Sequence, residues 1–333
     1  MPNQGLNIKN VVILAFDYVV ASTVTAPLDV FYQAGVLWNF LCESDVTPFF
    51  RVSVASTDGQ PVKCMGGISI APHLSMHEVV SPDLIVVSGG ANIEKTLARH
   101  PEAVDWLRAR HDGGCYLASI CSGAFLLAET GLLDGKTATT HWGFARLFNQ
   151  RYPNVHLKPK RLITDEGDLF CSGGVYSGVD LSIYLVEKFC GHETAVKCAK
   201  SIVYDYIRDS QAPFAAHLFP KNHRDEKVLA VQEYIENRYN SDKFDYHRIA
   251  ADFGFSRRTL IRRFKAATGE TPLHYLQRFR VEIAKTLLEQ RHHSFDEVAY
   301  QVGYEDSSFF RKVFVQHTGL RPREYRSKFT MAQ

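Results

Sequence analysis

Residues 242–329 carry the same helical pattern twice, and this repeat constrains the chain more than any other feature of its sequence. In the first copy, apolar residues at helical spacing precede Gly254, which supplies a turn, and Ser256 offers its hydroxyl as the N-cap of a second helix. Gly303 and Asp306 take the same places in the second copy. Two helices joined by a tight turn, and then repeated, predict two helix-turn-helix units.

The second helix of each unit is predicted to have a buried face and an outward face. Leu260 and Phe264 lie four residues apart and share the buried face of the first. Phe310 and Phe314 do the same in the second. The outward faces carry basic and hydroxyl side chains, which suit the major groove of DNA. The predicted DNA-binding residues are Arg257, Arg258, Ile261, Arg262, Ser307, Ser308, Arg311 and Lys312.

A longer helix is predicted between the two units. Pro272 can open it, and its apolar residues recur with a period near 3.6. The predicted apolar stripe comprises Leu273, Leu276, Phe279, Ile283 and Leu287. If this connection is rigid, it places the two recognition helices in successive major grooves, about 34 Å apart. One chain would then contact two adjacent half-sites.

The charge distribution favours a nucleic-acid partner for this part of the chain only. Residues 224–333 carry 20 Lys and Arg against 15 Asp and Glu, whereas the whole chain has 38 against 36 and a net charge of +2. The remainder is therefore slightly acidic, and only the C-terminal part has the charge that attracts DNA phosphates. A basic face that is merely solvated is the alternative, and the repetition of the pattern weighs against it.

Residues 242–329 resemble the DNA-binding domain of the AraC/XylS family of transcription regulators. The resemblance rests on IAADFGFSRRTLIRRFKAATGETPLHYL, IAKTLL and VAYQVGYEDSSFFRKVFVQHTGLRPREYR. It implies that the outward residues named above, apart from Arg257, lie nearest the bases. Ile261 and the two serines depart from the long polar side chains often found at these positions, so the bases that they contact stay open.

The N-terminal part of the chain alternates short apolar runs with helical patterns. Runs of β-forming residues predict buried parallel strands at 10–16, 49–56, 84–90 and 115–120. Helices are predicted from Pro27 and at 103–111, 121–130, 178–189 and 193–208, with a hairpin at 162–174. The predicted fold is α/β, a three-layer flavodoxin-like sandwich with a mainly parallel sheet, followed by an all-α domain with two helix-turn-helix units.

Cys121 lies in the sequence SICSG, at a tight junction between a predicted strand and a predicted helix. A cysteine at a helix N-terminus faces the helix dipole and free amides, so we expect its pKa to be lowered and its thiolate to be favoured. The amide of Ser122 and the backbone near Gly89 and Gly90 would face an oxyanion, as in a nucleophile elbow. His141 is the candidate base or polar partner.

Residues 8–205 resemble the class I glutamine-amidotransferase-like superfamily, in its PfpI branch. The resemblance rests on VILAFD, APLDVF, VVSGG, ICSGAFLLAETGLLDGKTATTHW and YSGVDLSIYLVE. A PfpI-like domain followed by an AraC-like tail is the layout of GlxA-type regulators. This layout implies a domain that senses a small metabolite and dimerises, joined to a DNA-binding domain.

Three positions depart from the enzymes of this branch. Thr23 stands where they commonly have an acidic side chain that bonds the cysteine, and a hydroxyl cannot act as a carboxylate base. Ser119 replaces a common glycine, and Ser122 stands where the proteolytic members have a histidine. We therefore predict that the protein is not an enzyme and that Cys121 and His141 are vestigial catalytic candidates.

The ligand contacts predicted for this domain surround the strand-to-helix junction at Cys121. Open α/β folds bind ligands beyond the carboxyl ends of their strands, near which Tyr176 and Asp180 begin a helix. Asp17 and Asp29 flank the first helix, as surface residues or as part of the pocket. An inert role, a ligand contact and catalysis all stay open for Cys121. The predicted ligand-binding residues are Thr23, Gly90, Cys121, Ser122, His141 and Tyr176.

We interpret the chain as a sequence-specific transcription regulator. Residues 1–208 would sense a small metabolite, nitrogenous or related to amino acids, and form a homodimer. Residues 209–224 would be a linker, and 225–333 would bind an operator in double-stranded DNA. RNA polymerase is a further candidate partner. The alternatives are an active cysteine hydrolase or hydratase fused to a DNA-binding tail, and a redox sensor that oxidises Cys121 to a sulfenate.

Targeting and cofactor signals are missing from the sequence. The start, MPNQGLNIKN, lacks the apolar run of a signal peptide, and no stretch approaches the roughly 20 apolar residues of a membrane span. Seven cysteines are scattered without a C-x-x-C pair that would indicate zinc or a redox dithiol. We expect a cytoplasmic protein with reduced thiols, no cofactor, no metal and no membrane contact.

Overall fold

The computed structural model describes residues 8–205, 208–216, 219, 221–241, 244–290 and 293–330. The chain divides into two units between Gln211 and Ala212. The first unit is built on a largely parallel sheet with helices, and the described part of the second is helical. The predicted fold class is confirmed.

The described part of the first unit contains eleven short strands. The strands are β1 (Lys9–Leu14), β2 (Phe50–Ser56), β3 (Val62–Lys63), β4 (Ser69–Ile70), β5 (Leu74–Ser75), β6 (Leu84–Val87), β7 (Tyr116–Ile120), β8 (Thr137–Ala138), β9 (His156–Leu157), β10 (Ile163–Asp165) and β11 (Leu169–Ser172). Seven of them form one sheet in the order β10-β11-β7-β6-β1-β2-β5, parallel except for the β10–β11 hairpin. Continuous apolar strands such as LIVV in β6 are typical of a sheet covered on both faces.

The helices of the first unit alternate with these strands. They are α1 (Ser22–Gln33), α2 (Leu37–Leu41), α3 (Ile93–Arg99), α4 (Pro101–Asp112), α5 (Gly123–Glu129), α6 (Ala145–Arg151), α7 (Ser177–Cys190) and α8 (His192–Ser201). The prediction that a helix begins at Pro27 is wrong, because α1 already begins at Ser22 and Pro27 removes only one helical hydrogen bond. The helix predicted at 193–208 is too long, since α8 ends before Val203, whose φ is +54°. Residues 206 and 207 lie outside the described residues.

Residues 209–211 run alongside 160–162 at the edge of the first unit. The Leu162 N–H donates to the Asp209 carbonyl at 3.1 Å, and the Gln211 N–H donates to the Lys160 carbonyl at 3.0 Å. The Gln211 side chain is buried, and its Nε2 donates to the Thr140 carbonyl at 2.8 Å. The start of the predicted linker is thus bound to the first unit. Residues 217, 218 and 220 of that linker lie outside the described residues.

The second unit contains two small cores joined by one helix. Its helices are α9 (Glu226–Asn237), α10 (Tyr246–Asp252), α11 (Arg257–Thr268), α12 (Pro272–Glu289), α13 (Phe295–Gln301), α14 (Ser307–Thr318) and α15 (Pro322–Phe329). Tyr275 and Leu276 of α12 pack in the core with α9, α10 and α11. Val281 and Leu288 of α12 pack in the core with α13, α14 and α15. Residues 242, 243, 291 and 292, within the predicted repeat, lie outside the described residues.

The apolar stripe predicted for α12 is confirmed in part. Leu276 is buried, and the half-buried Ile283 and Leu287 pack against the core with α13, α14 and α15, whereas Leu273 is 38% exposed. The buried face also includes two cations, Arg280 and Lys285. Arg280 Nε donates to the Tyr239 carbonyl and Lys285 Nζ to the Ala215 carbonyl, each at 2.6 Å, so burial leaves neither charge unbonded. A helix that serves two cores turns a different face to each, which a single stripe does not capture.

Candidate functional site

The first recognition helix, α11, is fixed by its caps and its buried face. The Ser256 hydroxyl accepts from the Thr259 N–H at 3.2 Å, and Gly269 ends the helix in the left-handed region with φ +88°. Leu260 and Phe264 are fully buried, as predicted. Together these contacts set which side of α11 faces outward.

The outward face of α11 carries cations without partners. Arg258, Arg262 and Lys265 are exposed, and within the described part of the chain no hydrogen bond or ion pair engages them. The Arg257 guanidinium lies over the Tyr246 ring, 5.3 Å from its centroid. Charged groups that serve no contact in the fold are available to bind phosphates or base edges.

The neighbouring Arg263 has a different role. Its Nε and an Nη donate to the two carboxylate oxygens of Asp225, at 2.9 and 2.7 Å. Asp225 is also the N-cap of α9, since it accepts from the Val228 N–H at 3.2 Å. This bidentate pair joins α9 to α11 and holds Arg263 away from the outward set.

The second recognition helix, α14, has the same construction with fewer cations. The Asp306 carboxylate accepts from the Ser308 and Phe309 N–H groups at 2.8 and 3.1 Å, which confirms the predicted cap. Phe310 and Phe314 are fully buried, as predicted. Ser308, Arg311 and Lys312 are exposed, while Ser307 is half-buried.

Sequence reasoning missed one outward residue on α14. Phe309 is 49% exposed, and its ring lies 6.0 Å from that of Tyr304. Its place outside the buried pair Phe310 and Phe314 was the available signal. Phe309 adds an apolar group to the outward side of the second helix-turn-helix unit.

Cys121 occupies a strained corner between β7 and α5. Its φ of +58° is uncommon for a residue with a Cβ, and such backbone strain is typical of a nucleophile elbow. Its N–H donates to the Ser172 carbonyl at 3.1 Å, and its own carbonyl accepts from the Thr140 hydroxyl at 2.8 Å. The corner is also closely packed, because a Cβ on Gly89 would lie 2.8 Å from the Cys121 Cβ.

The prediction that Cys121 has a lowered pKa is wrong. Only 3% of the residue is exposed, and burial raises the pKa of the thiol to about 11, although bonds from the Ser122 amide and hydroxyl act in the opposite direction. Loss of hydration outweighs the field of a helix of only two turns. Cys121 is therefore a neutral thiol at neutral pH.

Two of the amides expected to face an oxyanion, those of Gly89 and Gly90, are already bonded. The Gly89 N–H donates to the Thr23 hydroxyl at 3.1 Å, and the Gly90 N–H donates to the Ser122 hydroxyl at 2.8 Å. Thr23 itself is fully buried, and its hydroxyl also contacts the Val20 carbonyl at 2.7 Å. Thr23 and Ser122 thus fix the backbone after β6, which corrects the expectation of free oxyanion donors there.

The other residues considered for the ligand pocket differ in their exposure and in their hydrogen-bond partners. His141 Nδ1 accepts from the Gly143 N–H at 3.0 Å, and burial lowers the pKa of its ring. Tyr176 is 66% exposed at the start of α7. Asp180 is buried and is bonded by the Arg208 guanidinium. The exposed Asp29 lies on α1, and Asp17 accepts from the Lys63 N–H at 3.0 Å.

A small cavity lies beside the corner, between the end of β6, α3 and α5. Gly90 and Ser122 line it, whereas the other four predicted ligand residues do not. Its volume is about 30 Å³, close to the space of one water molecule. The Ser88 hydroxyl, which also lines it, is buried and finds no hydrogen-bond partner among the described residues. Sequence reasoning missed Ser88.

The described residues contain neither a cluster of metal ligands nor a helix that could span a membrane. Within those ranges, no three His, Cys, Asp or Glu side chains are grouped as metal ligands would be. None of the described helices combines the length and the apolarity needed to cross a bilayer. All seven cysteines are free thiols.

A parallel α/β unit followed by two helix-turn-helix units defines a class of two-domain transcription regulators, with a sensing domain and a DNA-binding domain. The chain belongs to the DJ-1/PfpI family, whose model matches residues 9–188, more than half of its length. A helix-turn-helix domain model matches residues 249–328. The layout predicted from the two resemblances is thereby confirmed.

Known relatives agree with this assignment. The HTH-type transcriptional regulator GbdR of Pseudomonas aeruginosa is 27% identical over 288 residues, which is 85% of this chain and 77% of that protein. The isonitrile hydratase of Pseudomonas putida is 31% identical over 149 residues, 44% of this chain and 63% of the enzyme. The crystal structure of Drosophila melanogaster DJ-1beta superposes with a TM-score of 0.51 at 23% identity, over 60% of this chain and all of the other, and supports the fold alone.

Proposed function

We propose that the protein binds a specific operator in double-stranded DNA through α11 and α14, and that a small effector bound to the α/β unit changes its affinity for that operator. One observation supports the first part of this proposal, that the protein binds DNA. Arg258, Arg262 and Lys265 stand outward on a helix whose opposite face is buried, and none has a partner in the described residues. Partnerless cations on a fixed helix suit the phosphates and base edges of a major groove.

The proposed DNA contacts are the predicted eight. They are Arg257, Arg258, Ile261 and Arg262 on α11, with Ser307, Ser308, Arg311 and Lys312 on α14. Because α11 is the more basic of the two helices, it supplies most of the electrostatic attraction. Residues 225–333 form the proposed DNA-binding domain and 209–224 the linker.

Residues 1–208 are the proposed sensing and dimerisation domain, and the resemblance to GlxA-type regulators supports a nitrogenous or amino-acid-related effector. The buried, unpartnered hydroxyl of Ser88 marks the cavity beside Gly90 and Ser122 as one place where a single polar group of the effector, about the size of a water molecule, would be held. Thr23, Cys121, His141 and Tyr176 complete the proposed set of ligand contacts. A regulator acting on chromosomal DNA works in the cytoplasm, where RNA polymerase is its further proposed partner.

The protein is proposed not to be an enzyme. The neutral thiol of Cys121, the bonded amides of Gly89 and Gly90 and the hydroxyl at Thr23 support this. The strained elbow at Cys121 and the similarity to a hydratase keep one competing function, a cysteine-dependent hydratase or hydrolase. A substrate-like electrophile that formed an adduct at Cys121 and then released product would favour that competitor.

A fluorescence-anisotropy titration tests the proposal. Labelled duplexes from beside the protein's own gene are titrated at a fixed salt concentration, because phosphate binding depends steeply on salt. We expect affinity at least about a thousandfold above that for a random duplex of equal length, and a shift in that affinity with one member of a metabolite library. Equal affinity for both duplexes would contradict the DNA-binding function, and indifference to every metabolite would contradict the sensing function.

A further inference from the structure

Ile261 is an aliphatic residue within the cationic face of α11. It is only half-buried, and it lies on an open surface formed by α11 alone. The other residues of this surface are Arg257, Arg258, Arg262, Lys265 and Ala266. An apolar side chain therefore stands among four cations on the side of the helix that the fold leaves outward.

Among the described residues, Ile261 belongs to neither core of the helical unit. The core beside α11 is filled by Leu260 and Phe264, and Ile261 is neither one of its buried residues nor one of the apolar side chains packed against it. A β-branched residue is also a weaker helix former than alanine or arginine. A contact outside this unit is the natural reason for an isoleucine here.

The chemistry of the major groove restricts what that contact is. Isoleucine neither donates nor accepts a hydrogen bond, so it cannot distinguish the polar groups of the base edges. The C5-methyl group of thymine is the apolar feature that a base pair presents in this groove. Building on the DNA-binding function proposed above, we propose that Ile261 contacts a thymine methyl group and makes one position of the α11 half-site specific for thymine.

The cations beside Ile261 would fix the position of α11 along the DNA, so that Ile261 faces one particular base pair. Arg258 and Arg262 lie three residues before and one residue after Ile261, and neither is tied down by the described residues. Bonds from these guanidiniums to phosphates or to guanine edges fix the helix on the duplex. The isoleucine then meets the same base pair in every complex, which turns a weak apolar contact into sequence selection.

Replacement of thymine by deoxyuridine tests this contact directly. The full-length protein first selects its operator from a pool of random duplexes, and each thymine of that operator is then replaced singly. Deoxyuridine lacks only the methyl group, so wild type is expected to lose about fourfold in affinity at one thymine, the equivalent of one buried methylene-sized group. The Ile261→Ala variant is expected to bind the thymine and deoxyuridine operators equally.

Three controls separate this effect from a general loss of binding. Arg262→Ala is expected to bind every operator more weakly but to keep the wild-type ratio between thymine and deoxyuridine. Replacing the critical thymine by cytosine should weaken wild-type binding, and 5-methylcytosine should restore about fourfold at that position. Because Ile261 lies outside the core, Ile261→Ala is expected to keep the wild-type melting temperature.

The outcomes distinguish this inference from the function on which it rests. If an operator is selected but wild type ignores every deoxyuridine, or if Ile261→Ala keeps the wild-type ratio, thymine recognition by Ile261 is overturned while DNA binding stands. If no sequence is enriched from the pool, the DNA-binding function fails and the inference fails with it.

Discussion

At the scale of single residues, Cys121 shows how burial outweighs local electrostatics. The strand-to-helix junction gives the cysteine a strained φ and amide neighbours, both common at reactive thiols. Yet the side chain is almost entirely removed from water, and desolvation raises its pKa to about 11. The redox hypothesis requires an accessible thiolate, so the surroundings of Cys121 oppose it.

The pH dependence of alkylation tests this state of the thiol. Cys121 is expected to react slowly with iodoacetamide at pH 7 and its rate to be still rising at pH 10, because the thiolate fraction grows until the pH reaches about 11. Peptide mass spectrometry would give the rates, with the exposed Cys42 as the internal control. A rate for Cys121 that levels off below pH 8 would contradict a raised pKa.

Residue-scale predictions succeeded where the determinants are local in the sequence. The sequence predicts Ser256 and Asp306 as caps because a cap bonds amides two or three residues away. The pKa of Cys121 and the unpartnered hydroxyl of Ser88 depend on segments far apart in the chain, which pack together only in the folded unit. No local pattern contains that information.

At the scale of elements, two adjacent arginines of α11 have different roles. Arg262 points outward without a partner among the described residues, and Arg263 is bonded by both oxygens of Asp225. A rotation of one residue along a helix, about 100°, is enough to separate a DNA-binding face from a face that joins two helices.

The two arginines form a matched pair of variants. Arg262→Ala is expected to weaken operator binding about tenfold or more, with a smaller loss on random DNA if the side chain contacts a base. Arg263→Ala is expected to keep operator affinity and to lower the free energy of unfolding by about 1 kcal/mol, because its partly exposed ion pair is lost. Anisotropy and urea titrations measure the two effects. Equal loss of affinity in both variants would mean that α11 is oriented differently on DNA.

The elements themselves were largely predictable from hydrophobic period and turn residues, and α12 marks where this failed. Its predicted stripe includes the exposed Leu273 and omits two buried cations, because the helix packs into two cores and buries Arg280 and Lys285 against carbonyl groups. A buried cation bonded to the backbone is indistinguishable in sequence from a solvated one. The start of α1 was missed because Pro27 is tolerated inside the helix.

At the scale of the whole molecule, Gln211 is the last residue before the chain enters the second unit. Its buried amide contacts the Thr140 carbonyl at 2.8 Å and the Arg161 carbonyl at 3.2 Å. Thr140 in turn bonds the Cys121 carbonyl through its hydroxyl. The space is tightly filled, since a Cβ on Gly173 would lie 2.5 Å from the Gln211 Oε1.

Removing this amide should weaken the first unit measurably. Gln211→Ala is expected to lower the free energy of unfolding by about 2 kcal/mol, because buried carbonyl groups lose their donor. Asp209→Ala, two residues earlier and exposed, is the control and should change the value by less than about 0.5 kcal/mol. Urea unfolding followed by tryptophan fluorescence would report it through the nearby Trp142, whose backbone N–H donates to the Gln211 Oε1 at 3.3 Å. Equal effects of both substitutions would show that the amide contributes nothing beyond its surface neighbour.

The anchoring of Gln211 also determines where this protein can exchange parts with others. A gene fusion that joins the sensing unit to a new output domain retains an intact unit only if its junction falls after residue 211. A junction at the end of α8 would remove a side chain that the unit's own interior uses. The same limit applies to recombination during evolution. New pairings of a sensor and an output domain are therefore expected to keep residues 209–211 with the sensor.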